Sequence, residues 1–189
     1  MKRFIIFLGV ISLFTILSSC SSKPSIKLIN SNVSITNDKT KVGSIGITQG
    51  DKKGQYLVPT ALYYEFKIKN VGNKKIGDFG DKGLKIKIEP NSKLKILSKE
   101  IVGFNIFNPS SYVASGVGHG SSFVSLLEPG QEGKFIFSYD LGVSEKNSEV
   151  PLMVPSQEKL KKLEEGALNA SLIVTLEDKE IARFDLIKK

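Results

Sequence analysis

The amino-acid sequence predicts an all-β fold, an antiparallel β-sandwich with one short crossover helix. In several stretches apolar and polar residues alternate with a period of two, as in strands with one buried and one solvated face. Turn-forming residues separate these stretches at intervals of about 8 to 15 residues, which is typical of roughly seven to nine short strands in two packed sheets. Only one segment has the composition of a helix.

The chain begins with a leader in which two basic residues precede an apolar run from position 4 to position 17. A helix that spans a bilayer needs roughly 20 apolar residues, so this shorter run predicts a secretory signal and not a membrane-spanning helix. Leu17-Ser18-Ser19-Cys20 ends the leader and resembles the lipobox of bacterial lipoproteins. The alternative is an ordinary signal peptide whose removal nearby leaves Cys20 as a free thiol.

The lipobox resemblance implies that residues 1–19 are a lipoprotein signal peptide and that Cys20 receives a diacylglyceryl group. Two or more acyl chains attach a protein stably to a membrane, whereas one chain holds it only marginally. We therefore expect residues 20–25 to form a lipidated tether, with Cys20 on the extracytoplasmic face of the cell membrane. Residues 26–189 are expected to form a single β-sandwich domain.

The chain is basic, with a formal net charge of +8 at pH 7 that falls to +6 when the two basic residues of the leader are removed. A basic balance suits nucleic acid, an anionic membrane surface or an anionic wall polymer. The export signal argues against nucleic acid. The lysines are scattered along the predicted strands, and this favours a plain solvated lysine-rich surface as the alternative to any binding role.

The first half of the domain contains the clearest strand pattern. Short strands are expected at residues 26–29 and 33–35, with a weaker one at residues 45–48. The best strand lies between residues 55 and 70, and its alternation predicts four core-facing side chains, Leu62, Tyr64, Phe66 and Ile68. Further strands are expected at residues 84–89 and, with a bulge or bend, at residues 94–104.

Residues 108–122 contain three glycines, five serines and the only histidine, His119. This composition predicts a long loop, either without regular structure or with a short strand at Tyr112 and Val113. Loops on a rigid scaffold often carry binding residues, so this loop, with Tyr112 and His119, is the candidate interaction surface.

The last part of the chain is expected to alternate strands with one helix. Strands at residues 123–127 and 134–139 flank Glu128-Pro129-Gly130-Gln131, a sequence suited to a type II turn. The crossover helix is expected at residues 156–166, because Ser156 can cap it and Gly166 can end it. A hairpin through residues 177–180 then joins two final strands.

Two of these turns carry a second resemblance. The strand that ends in Asn70-Val71-Gly72, and the later Pro129-Gly130 turn that leads into residues 134–139, are similar to features of the immunoglobulin-like domains of uncharacterised Gram-positive lipoproteins. The resemblance implies an immunoglobulin-like antiparallel sandwich. It supplies no catalytic residues.

The sequence contains few residues suited to catalysis or cofactor binding, and no enzyme activity, cofactor or metal is expected. A cysteine–histidine pair is excluded once Cys20 is acylated. His119 with Ser121 leaves a Ser-His-Asp hydrolase formally open, although the surrounding sequence is not a nucleophile elbow. Asp78-Phe79-Gly80-Asp81 is the nearest match to a calcium site, and a plain polar turn explains it equally. Four aromatic residues suit either a ligand groove or simple packing: Tyr63, Tyr64, Phe107 and Tyr112.

Three functional hypotheses follow. The first is a lipid-anchored binding module that contacts an envelope protein or an anionic wall polymer. The second is a structural accessory subunit that holds an envelope complex together through an exposed sheet edge. The third is a hydrolase that uses His119. The sequence favours them in that order, because fold alone does not fix function and the catalytic signals are weak.

Overall fold

The computed structural model describes residues 24–187, so the predicted signal peptide and Cys20 lie outside the described residues. Strands account for 42% of the structure and helices for 19%, and all pairs of named strands are antiparallel. The prediction of a strand-rich, antiparallel fold is therefore confirmed.

A four-stranded sheet forms the centre of the fold. Its strands lie in the spatial order β1 (Ile26–Thr36), β4 (Thr60–Asn70), β9 (Glu132–Gly142) and β7 (His119–Phe123). The alternation predicted for β4 is confirmed, because Leu62, Tyr64, Phe66 and Ile68 are all buried. The strand β9 is central, as the large side chains on both of its faces indicated.

A three-stranded sheet supplies the other side of the core. Its order is β11 (Lys179–Asp185), β10 (Ala170–Leu176) and β6 (Leu84–Pro90). One continuous cluster of buried apolar side chains includes residues from both sheets. Two short ladders lie beside them, the first pairing β2 (Ile45–Gly46) with β3 (Tyr56–Leu57) and the second pairing β5 (Ile76–Gly77) with β8 (Leu126–Leu127).

Three α-helices occur in the described chain, α1 (Lys39–Val42), α2 (Ser92–Val102) and α3 (Gln157–Gly166). The expected crossover helix is confirmed as α3, although the side chain of Ser156 does not cap it. Its Glu164 carboxylate accepts a hydrogen bond from the backbone N–H of Ile35 at 3.2 Å, which attaches α3 to β1.

The prediction of a strand at residues 94–104 is wrong, because most of this segment is α2. Leu94, Ser98 and Val102 are buried at intervals of four residues, the period of a helix face. The Asn91 side chain accepts a hydrogen bond from the Leu94 N–H at 3.1 Å, and Gly103 ends the helix with a φ of 96°. The capping signals outweigh the short alternation that favoured a strand.

The prediction of one loop through residues 108–122 is also wrong. Pro109–Tyr112 forms a 3₁₀ turn that begins at Asn108, whose side chain accepts from the Ser110 N–H, so no strand forms at Tyr112 and Val113. The strand β7 then begins at His119, where a loop was expected. Pairing with β9 supplies the hydrogen bonds that make this polar, glycine-containing segment extended.

The final hairpin is confirmed, with a tighter connection than expected. Only Glu177 and Asp178 separate β10 from β11, and both have positive φ angles, 49° and 60°. Two such residues are typical of a type I′ turn, whose twist matches that of the flanking strands. Along β11, Arg183 and Asp185 are exposed while Leu186, directly after the strand, is buried, as predicted.

Candidate functional site

The strand β7 forms one outer edge of the four-stranded sheet and is exposed along its whole length. The Asp140 N–H donates to the Gly118 carbonyl at 3.0 Å, so the backbone of Gly118 faces β9. In an antiparallel ladder successive residues face opposite sides. The backbone N–H and C=O groups of His119, Ser121 and Phe123 therefore face the open edge, where they can pair with another strand.

The other sheet edges carry features that discourage pairing. The β6 edge has Lys85, Lys87 and Glu89 as exposed side chains, and the β11 edge has charged residues at four positions. The β1 edge has a register irregularity between Leu28 and Asn30, and Glu164 occupies its far end. Charges, bulges and covering side chains are the usual protection of sheet edges.

The edge of β7 has none of this protection. It contains no lysine, arginine, carboxylate or proline, and its pairing with β9 is regular over all five residues. Gly120 and two serines make it flat and small, so a neighbouring backbone can approach it closely. It is the unguarded edge among the four considered.

The core-side face of β7 extends beyond the core. His119, Ser121 and Phe123 lie directly opposite Tyr139, Phe137 and Phe135, so their side chains share the face that is buried in β9. They are nevertheless exposed, and Phe123 is stacked on Phe135 with ring centroids 6.4 Å apart. The sheet thus offers open backbone groups together with a partly apolar ledge.

The two predicted interaction residues occupy different environments. Tyr112 is buried, with 7% of its surface exposed, and its ring packs against Phe104 at 5.0 Å between centroids. His119 is exposed, and its ring lies 5.4 Å from the same tyrosine ring. The accessible part of the predicted surface is therefore His119 and the strand that follows it, which places Tyr112 beneath this surface.

The hydroxyl of Tyr112 has no hydrogen-bond partner within the described part of the chain. Burial raises the pKa of this hydroxyl, and the Asp140 carboxylate adds to the effect. Burial also raises the pKa of Asp140, although a hydrogen bond from the Gly118 N–H, 3.0 Å from the carboxylate, opposes that rise. Two bonds between Gly118 and Asp140 thus fix the start of β7 beside a partly buried acid.

The hydrolase hypothesis gains no support from this geometry. Within residues 24–187, the His119 side chain hydrogen-bonds neither a serine nor a carboxylate, and Ser121 lies two positions along the same strand. The aromatic candidates are also largely structural. Tyr64 is fully buried and donates to the Ala167 carbonyl at 2.8 Å, and Phe107 packs on Tyr139.

The calcium candidate is a polar turn in the structure. One Asp78 oxygen accepts from the Phe79 N–H at 2.9 Å, and the other lies 3.4 Å from the Lys75 ammonium. These contacts, led by the Phe79 N–H, lower the pKa of Asp78. Among residues 24–187 there is no cluster of three or more histidine, cysteine or acidic side chains placed to bind a metal.

A groove of about 620 Å³ lies between the edges of β1 and β11 and includes the apolar residues Leu28 and Phe184. Its charged β11 residues already have partners. Arg183 binds Glu89 and Glu180, and Asp185 accepts from the Ile187 N–H at 3.1 Å. The groove therefore has less unpaired hydrogen-bonding capacity than the β7 edge.

Comparisons with protein-family models, with curated proteins and with solved structures give no match for this chain. In the part of the chain that the structure covers, no helix has the length and apolar character needed to cross a membrane. The functional argument therefore depends on the exposed edge and on the lipobox resemblance.

Proposed function

We propose that this protein is a lipid-anchored, extracytoplasmic interaction module of the cell envelope, and that it binds an extended segment of a partner protein at the edge of β7. Cys20 carries the lipid in this proposal, and an immunoglobulin-like sandwich holds the edge away from the anchor. The protein acts by binding and performs no chemistry.

The observation that carries the proposal is the contrast between β7 and the other edges. Exposed edges with free backbone groups are templates for a further strand, and proteins normally protect them. An incoming strand would pair with the backbone of His119, Ser121 and Phe123, which is the recognition mode called β-strand addition. Main-chain hydrogen bonds would supply affinity that depends little on the partner's sequence.

The side chains around β7 indicate which partner sequence would fit. The ledge formed by Phe123 and Phe135 suits an apolar side chain at one alternate position of the added strand. Near His119 the ledge becomes more polar, because the Asp140 carboxylate lies one position from Tyr139. A partner segment with alternating apolar and polar residues matches this gradient best.

Site-specific photo-crosslinking in intact cells tests the proposal. A photoreactive residue at Ser121 should capture a specific protein, whereas the same residue at Lys87, on the exposed face of β6, should not. Equal capture from both positions, or capture from Lys87 alone, would refute the assignment to β7. A product containing two copies of this chain would identify a homotypic structural assembly, the accessory-subunit alternative.

The lipid anchor has its own test. Cells supplied with a labelled fatty acid should incorporate the label into the wild-type protein and not into a Cys20→Ser variant. Because Cys20 is the only cysteine, loss of the label in that variant assigns the acylation site directly. Label that persists in the variant would contradict thioether attachment at Cys20.

A further inference from the structure

We propose that a second surface, the tether-side tip, rests on an anionic lipid surface and orients the anchored domain. The tip consists of Val71, Lys74, Lys75, Phe79 and Lys82, all of which are exposed. The inference rests on the lipid anchor of the proposed function, and it concerns a surface distinct from the β7 edge.

Hydrogen bonds hold the tip beside the start of the domain. The Val71 N–H donates to the Ser25 carbonyl at 2.9 Å, and the Asn70 amide donates to the Lys74 carbonyl at 2.8 Å. Ser25 follows Cys20 by only five positions, so these two residues are at most about 17 Å apart, whatever path the chain takes. The tip therefore lies close to the acyl chains that Cys20 would carry.

The most exposed aromatic residue of the tip is Phe79, with 80% of its surface accessible. It follows β5 on a turn in which the Asp78 N–H donates to the Lys82 carbonyl at 3.1 Å. Half of the Val71 surface is exposed as well. Single exposed apolar residues are common on proteins, but an aromatic and an aliphatic residue beside lysines are typical of a surface that enters the lipid headgroup region.

The charge of this end of the domain fits an anionic surface. Residues 21–27 and 69–83 together contain six lysines and two aspartates. The neighbouring Glu132 is paired with Lys67 and Lys69, and Asp78 is paired with Lys75. Clusters of lysine close to a membrane are attracted to anionic lipid headgroups, and this attraction falls off within a Debye length.

Contact at the tip would determine how the β7 edge is presented. Lys69, next to the tip, pairs with Glu132 at the start of β9, and β9 then extends away from the tip towards Tyr139. Because Phe123 pairs with Phe135 and His119 pairs with Tyr139, the His119 end of β7 lies farther from the tip. The edge would therefore stand away from the membrane and be accessible along its length.

Tryptophan fluorescence tests the proposal, because the chain contains no tryptophan. A Phe79→Trp variant of the acylated protein is reconstituted into vesicles of phosphatidylcholine, with or without phosphatidylglycerol and with brominated lipids as quenchers. We expect a blue-shifted emission that brominated lipids quench, more strongly when phosphatidylglycerol is present. The control is Val113→Trp, a position that is 81% exposed near the His119 end of β7, and its emission should remain unquenched.

Charge variants separate lipid contact from simple proximity. In the Phe79→Trp background, Lys74→Gln with Lys82→Gln should reduce the quenching on anionic vesicles. Lys93→Gln with Lys99→Gln removes the same charge from α2 and should leave the quenching unchanged. Equal quenching of the Phe79→Trp and Val113→Trp variants, or quenching that the tip lysines do not affect, would overturn the proposal.

Flotation of the protein with the vesicles distinguishes failure of the anchor from failure of the tip. If cells leave Cys20 unacylated, its thiol can be coupled to a maleimide lipid, and the quenching of the Phe79→Trp variant still decides whether the tip contacts the membrane. A Phe79→Trp protein that floats with vesicles but shows unquenched emission would refute the tip proposal and leave the anchor intact.

Discussion

Replacement of Asn70 by alanine should destabilise the domain strongly, because this buried side chain joins three segments. Its amide donates to the Lys74 carbonyl at 2.8 Å and to the Leu127 carbonyl at 3.0 Å, and its oxygen accepts from the Gly72 N–H at 2.9 Å. Asn70 has no exposed surface. The substitution removes these bonds and leaves polar groups in a largely dry site.

The size of the effect follows from these contacts. A hydrogen bond contributes about 1 kcal/mol to stability, and a buried polar group that loses its partner costs about 1–3 kcal/mol. The loss for Asn70→Ala should therefore be about 3–4 kcal/mol, which lowers the Tm of a domain of this size by roughly 6–15 °C. Chemical denaturation of purified protein, followed by circular dichroism, measures it.

The matched control is Asn73→Ala in the same turn, where the side chain is exposed and the change should stay within about 0.5 kcal/mol. Asn70→Asp keeps the acceptor for Gly72 but loses both donors, so it should also be destabilising. An Asn70→Ala protein as stable as the Asn73→Ala protein would show that the three segments are not joined through this residue.

Two further predictions concern α2 and Asp140. Leu94→Ala should cost about 2–4 kcal/mol and Ile96→Ala less than about 0.5 kcal/mol, because Leu94 is buried and Ile96 is 56% exposed; equal costs would favour a strand, in which both residues share a face. Burial raises the pKa of Asp140 in the folded state above its unfolded value, so its ionised form opposes folding at neutral pH. Asp140→Asn should therefore be more stable than the wild type at neutral pH, and the difference should narrow as the pH falls through the raised pKa towards about 4, where protonation leaves both proteins largely uncharged at this position. Denaturation measured across this pH range checks the sign, and a difference that grows towards acid would contradict it.

The parts of the fold that sequence predicts are those in which local pattern and tertiary environment agree. In β4 the apolar side chains face the core and the charged ones face solvent, so a period of two is visible directly. The α3 helix and the β10–β11 hairpin have equally local signals in their composition and turn. These elements are found where they were expected.

The α2 segment shows how a local signal can be overlooked. Leu94 and Ile96 alternate as in a strand, yet Asn91 and Gly103 are typical helix-terminating residues at the spacing of three helical turns. Counting the buried pattern from Leu94 to Val102 at intervals of four residues would have indicated the helix. The sequence contained this information, and the shorter pattern was given too much weight.

The β7 edge could not be predicted from local sequence. His119 to Phe123 has a composition typical of a loop, and its extended form depends on hydrogen bonds to β9. One indirect signal existed, because a central β9 requires a strand on each side and β4 supplies only one. The burial of Tyr112 depends on packing against Phe104, which lies in a segment whose structure was mispredicted.

Partner capture by a Ser121→Pro variant, compared with a Ser121→Ala variant, tests the central claim most directly. The Ser121 N–H faces the open edge, so proline removes a donor for an added strand without removing a bond to β9. Alanine removes only the hydroxyl. The account predicts that proline abolishes capture in cells while both variants remain folded and membrane-attached, and that alanine has little effect. Undiminished capture by a folded Ser121→Pro protein would contradict binding through the β7 edge.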